Sequence, residues 1–183
     1  MYWSSGFALA VFLGSLFAHH ITQTTITNSP VLALSGRGIR SGLVRMPRSV
    51  HGQGDRSGLI AMLVGLDRQL GTAAYVGDGR NRWPAVHISD AAHLLLLALE
   101  QAPAGSVLHA VGEEGVAMRD VAEVIATKTR LPAAAVDPAQ LGVFGALLGG
   151  DQPASSTATR ELLGWEPTGP TLLEDLEAGH YTD

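Results

Sequence analysis

Apolar residues in this chain fall into short runs broken by glycine and proline, and their spacing alternates between helical and strand-like periods. Leu59, Ile60, Leu63, Val64, Leu66 and Leu70 recur three and four apart, which predicts a helix over 57–70 stopped by Gly71. Residues 90–100 read as a buried helix, apolar almost all round at Leu94 to Leu97. Asp90 is placed to cap it, because a carboxylate there accepts from the unbonded first-turn N–H groups. Val121, Ala122, Val124 and Ile125 give 118–129 one apolar face. Further helices are expected at 138–148, 156–163 and 171–178, the last opening with the capping-box pair Thr171 and Glu174. Strands are expected at 41–46, 73–76, 85–88 and 106–111, with a glycine-rich loop over 50–58. Helices alternating with short strands make the class α/β.

The amino terminus departs from this pattern. Residues 1–36 carry no Asp, Glu, Lys or Arg, and 6–18 is a 13-residue apolar run. That is too short to span a bilayer, and no positive charge precedes it as in a signal peptide. It reads as a buried helix or a stretch foreign to the fold, with membrane attachment through 6–18 as an alternative. Residues 1–28 are therefore left unassigned, and 29–183 form the recognisable unit.

Composition narrows the chemistry. The net charge of −5 leaves no basic footprint for nucleic acid. Cysteine is absent, which removes disulfides, thiolate metal sites and thiol catalysis, and fits a cytoplasmic protein. Gly36-Arg37-Gly38 looks like a dinucleotide loop, but it precedes a strand instead of following one, so a helix C-cap and turn is the better reading. His87, Asp90 and His93 do not share a helical face, so no metal site is expected. No Gly-x-Ser-x-Gly pentapeptide occurs, and Glu113-Glu114 read as a solvated turn.

The most specific stretch is Tyr75 to Asp90. A Gly77-Asp78-Gly79 turn is followed by Arg82, a short strand, and His87-x-x-Asp90 opening a helix. Upstream, Met46-Pro47-Arg48-Ser49-Val50-His51-Gly52-Gln53-Gly54 reads as a strand leaving a sheet. Downstream come Gly105 to Gly112, the helix after it, and Leu163-Gly164-Trp165-Glu166-Pro167. In this order the motifs resemble the C-terminal half of the NAD-dependent epimerase/dehydratase group, the extended short-chain dehydrogenase/reductases. In the family's Arg-Pro-x-Asn-Val-Tyr-Gly-Pro-Gly segment, Pro47, Val50, Gly52 and Gly54 match. Ser49 replaces Asn, His51 replaces Tyr, and Met46 stands at the Arg position, with Arg45 beside it.

The resemblance implies a partial Rossmann-like fold, here the C-terminal half with a small substrate-binding α/β subdomain. It implies NAD or NADP, touched by Pro47, Ser49 and Val50. It also implies a small-molecule substrate, anionic or nucleotide-linked, near Arg48, His51, Arg82 and His87. Trp165 should anchor the tail in the core. The family's glycine loop and Tyr-x-x-x-Lys pair are absent: the only lysine is Lys128, and Val124 stands four before it. No catalytic residue is therefore assigned. The expectation is a substrate-side half, truncated and inactive alone, requiring an N-terminal half or self-association. The alternative is a non-catalytic nucleotide- or protein-binding module of the same fold.

Overall fold

The computed structural model describes residues 7–13 and 30–182. Of the unassigned residues 1–28, all but 7–13 lie outside the described residues. Within the apolar run, Phe7–Leu13 form strand β1, paired parallel with β2 (Arg40–Met46). Over 7–13 this corrects the buried-helix reading, since the backbone bonds there lie in a sheet. Among the described residues no helix is long and apolar enough to cross a membrane.

Helix α1 (Pro30–Ala33) and a 3-10 turn over Leu34–Arg37 lead into β2, and Gly38 ends the turn in a left-handed conformation. The Gly36–Gly38 segment is thus the cap and turn expected of it. Strand β3 (Ser49–His51) follows, where a loop was expected from residue 50. Then come α2 (Leu59–Leu70), β4 (Ala73–Val76), β5 (Arg82–His87), α3 (Ile88–Gln101) and β6 (Ser106–His109). Strand β7 (Glu113–Ala117) takes up Glu113 and Glu114, which corrects their assignment to a turn. Helix α4 (Met118–Thr129) and β8 (Ala133–Val136), a strand that propensity did not reveal, come next. The helix expected over 138–148 is broken at Gly142 into a 3-10 turn, Pro138–Leu141, and α5 (Val143–Gly149). Helices α6 (Thr157–Leu163) and α7 (Leu172–Glu177) complete the chain, α7 with its capping box formed.

The strands pair as β1-β2-β6, all parallel, as β3-β5-β7, with β7 antiparallel, and as a parallel β4-β8 pair. Two cores result. Val44, Val86, Leu94, Ala98, Leu108 and Trp165 pack α3 against the first sheet. Ile60, Val64, Trp83, Val121, Ile125, Leu148 and Leu176 join α2, α4, α5 and α7 around β4 and β5. Strand β5 feeds both, since Trp83 faces one core and Val86 the other. Residues joined by such a strand are held between two packed bodies, which fixes the strand ends where a site can form. In the α3 run, Leu94 is buried but Leu96 is 51% exposed, so that helix is less enclosed than its composition suggested.

Candidate functional site at the strand ends

The Gly77–Gly79 turn delivers β5. Both glycines have positive φ, and a Cβ on Gly79 would lie 2.6 Å from Arg119 Cβ, so only glycine fits there. β5 then pairs with β3 in the register Ser49↔Ala85, Val50↔Val86 and His51↔His87. Paired residues of parallel strands share a face, so His51 and His87 stand side by side while Val50 turns to the core with Val86. The imidazole rings meet edge to face, 5.6 Å apart.

His51 is buried. Its Nδ1 lies 2.6 Å from Asp175 Oδ2, and its Nε2 lies 3.7 Å from Glu113 Oε2 with no hydrogen-bond partner. Burial pushes its pKa down, but the Glu113 and Asp175 carboxylates outweigh that and hold it above the usual histidine value. His87 is half-buried. Its Nδ1 lies 2.7 Å from Ser89 Oγ and accepts the Ser89 N–H, which puts the ring proton on Nε2, 3.8 Å from Asp175 Oδ2. His87 is thus the N-cap of α3. This corrects the assignment of that role to Asp90, whose buried carboxylate instead accepts from the Thr168 and Gly169 N–H groups. Gly52 follows His51 closely: a Cβ there would sit 2.8 Å from Ile88 Cγ2.

The cationic candidates separate. Arg82 is exposed and forms a fork on Asp151, Nε to Oδ1 and Nη2 to Oδ2, each 3.1 Å, so much of its donor set is already engaged. Arg48 is half-buried over the Trp83 ring, 5.0 Å from the centroid, and donates to the Leu147 carbonyl at 2.9 Å. Burial lowers its pKa, and no carboxylate pairs with it among the described residues. Pro47 is buried, and the Ser49 hydroxyl is buried without a hydrogen-bond partner. The structure therefore brings His51 and His87 together, sets Arg48 apart against Trp83, and places Arg82 on an open depression of about 370 Å³ that Glu113 also lines.

Asp175 and Glu113 escaped the sequence reading. Asp175 shares a helical face with Leu172 and Leu176, all buried, and a carboxylate on an apolar face was the available signal. Glu113 gave none, because its strand is made by pairing with β5. Among the described residues no group of three or more His, Asp or Glu side chains is arranged to hold a metal ion.

No protein-family profile matches the chain. An uncharacterized protein of Schizosaccharomyces pombe is 40% identical over 154 residues, which covers 82% of this chain and 52% of that protein. The chain spans about half the length of the curated relatives it matches. In structure, RMD from Pseudomonas aeruginosa complexed with NADPH superposes with a TM-score of 0.65 at 16% identity, over 97% of this chain and 67% of that one. UDP-glucuronic acid 4-epimerase from Bacillus cereus, in complex with UDP-glucuronic acid and NAD, gives 0.65 at 15%, over 96% and 61%. With its parallel pairs, its α/β alternation and these likenesses, the chain has an α/β fold resembling part of the Rossmann-like fold of NAD-dependent epimerase/dehydratase proteins.

Proposed function

We propose that this chain supplies the substrate-side portion of an NAD(P)-dependent epimerase/dehydratase-type oxidoreductase and binds an anionic, nucleotide-linked small molecule through Arg48. The carrying observation is the state of that side chain. A half-buried guanidinium lacking a carboxylate partner among the described residues, held over an indole, keeps donors available for a diphosphate or carboxylate. It lies on the segment between β2 and β3, next to strand ends, where open α/β sheets place ligands. The neighbours in complex with UDP-glucuronic acid and NAD support the same ligand class. Asp175 and Ser89 already engage His51 and His87, so they are the weaker candidates for direct contact. Arg82 ranks below Arg48 for the same reason.

The cofactor fits only in part. Ser49 offers a buried hydroxyl without a partner, and Pro47 a rigid wall, while Val50 packs into the core. These 183 residues contain no Tyr-x-x-x-Lys pair. The residues present could touch NAD(P) but do not constitute its grip, and no hydride step is assigned to them. Action with a complementary half, or as a second copy of the chain, follows from this reading. A binding module without turnover would use the same Arg48 site.

Titration of the purified chain with UDP-glucuronic acid, NAD(H) and NADP(H), followed by thermal unfolding, tests this. A ligand that binds the native state must raise the midpoint. We expect a rise with the nucleotide sugar that is lost in Arg48→Ala, and no hydride transfer by the chain alone. No rise with any of these would overturn the reading, and turnover would overturn the inactivity.

A further inference from the structure

The end of the described chain is fastened across β3 by side chains, not by strand pairing. Thr171 and Glu174 fix the start of α7, and Asp175 is its buried centre. Around that one carboxylate stand three histidines from three places. His51 Nδ1 is 2.6 Å and His87 Nε2 3.8 Å from Oδ2, and His180 Nδ1 is 3.3 Å from Oδ1. Glu113, on the far side of His51, also accepts the Leu172 N–H at the head of α7. Beyond α7, the Tyr181 hydroxyl accepts the Gly52 N–H at 3.0 Å and donates to Asp55 at 3.3 Å. Arg68 donates to the Thr182 carbonyl at 2.6 Å.

No Lys or Arg pairs with Asp175 or Glu113 among the described residues, so histidine is the cation available to both. A neutral His51 that gives its Nδ1 proton to Asp175 turns the Nε2 lone pair on Glu113. A protonated His51 turns an N–H on each carboxylate. The remaining titratable groups facing this centre are His87, His180, Asp55 and Tyr181, and burial pushes the Tyr181 pKa up to about 12, so its hydroxyl stays a donor.

We infer that residues 171–182 form a strap over the loop after β3, held shut when His51 is an imidazolium and loosened when it is neutral. Loosening frees the Gly52 N–H and Asp55 from Tyr181 and uncovers the 52–58 loop at the strand ends. The two carboxylates facing the ring nitrogens favour the imidazolium and hold the His51 pKa above the ordinary histidine value. This device belongs to the chain itself and does not depend on what the chain binds.

Hydrogen exchange of the full chain, read by mass spectrometry from about pH 6 to about pH 9 and corrected for intrinsic rates, tests it. We expect peptides within 171–182 to lose about tenfold in protection relative to α4 peptides as pH rises. His51→Asn, which keeps a donor toward Asp175 but cannot titrate, should abolish that step. NMR should place the His51 pKa above 6.5. Strap protection that follows α4 at every pH, or a step that persists in His51→Asn, would overturn the inference. Should that variant not fold, Glu113→Gln keeps the acceptor for Leu172 and must shrink the step; an undiminished step overturns it equally.

Discussion

The indole Nε1 of Trp165 donates to the Asp90 carbonyl at 3.1 Å, joining positions 75 residues apart. Trp165 is fully buried in the core beneath α3, and a buried indole needs such a partner. Asp90 completes the joint, since its carboxylate holds the Thr168 and Gly169 N–H groups at 3.1 and 2.9 Å. One residue in the first turn of α3 thus ties down the segment between α6 and α7. Asp90→Ala should cost about 2–3 kcal/mol by leaving those donors without their acceptor. Trp165→Phe should cost about 1–2 kcal/mol, and Trp165→Ala about 3–5 kcal/mol. Urea unfolding measures all three.

Arg48 lies over the Trp83 ring while its guanidinium also reaches Leu147, so charge alone does not define its role. Arg48→Lys should keep the fold and the charge yet lose the planar fork, weakening a nucleotide-sugar ligand about 10-fold to 100-fold. Arg82→Ala, whose fork is taken by Asp151, should weaken it less. Calorimetric titration of the two variants side by side gives the ranking, and a larger loss at Arg82 would move the anion contact there.

Asp67 is buried at 2% exposure near the end of α2, accepts the Ala74 N–H at 3.0 Å, and has no cation partner among the described residues. Burial pushes its pKa from 3.8 up to about 6. The native state then holds its proton where the unfolded state has lost it, so stability falls as pH rises through that window. At about 1.4 kcal/mol per unit the loss is at most about 3 kcal/mol. Asp67→Asn should flatten stability between about pH 4 and pH 6 and exceed the parent above it. A parent curve rising steeply over that range in a way the variant shares would contradict this.

His109 behaves oppositely to His51. Burial and the Arg45 guanidinium, with Nη1 3.1 Å from its Nε2, push the His109 pKa below 6.5. The unfolded state takes up that proton first, so stability is lost as pH falls below about 6.5. His109→Gln should remove this acid-side loss, whereas the His51 contribution is complete below 6.5 and lost as pH rises through its higher folded value. Chemical denaturation from about pH 5 to about pH 9 separates the two slopes.

Local chemistry was enough to locate much of this protein. The period of 59–70, the glycines that stop α2 and α6, the Gly77–Gly79 turn and the Thr171 capping box each act within a few residues, and all stand where the sequence puts them. The motif order also sufficed to suggest an epimerase/dehydratase-like α/β chain. The remainder was decided by partners distant in sequence. Strands β3, β7 and β8 are short and exist because β5 and β4 supply their hydrogen bonds. Propensity favoured Asp90 as the cap of α3, but the 168–169 backbone took its carboxylate and left the cap to His87. Arg48 and Arg82 look equivalent in sequence; only packing set one against an indole and the other against Asp151. The resemblance of Tyr75 to Asp90 identified the strand end. The burial of Asp175 among three histidines, which no local pattern encodes, required the tertiary structure, because a charge acquires its partners only when separate elements close around it.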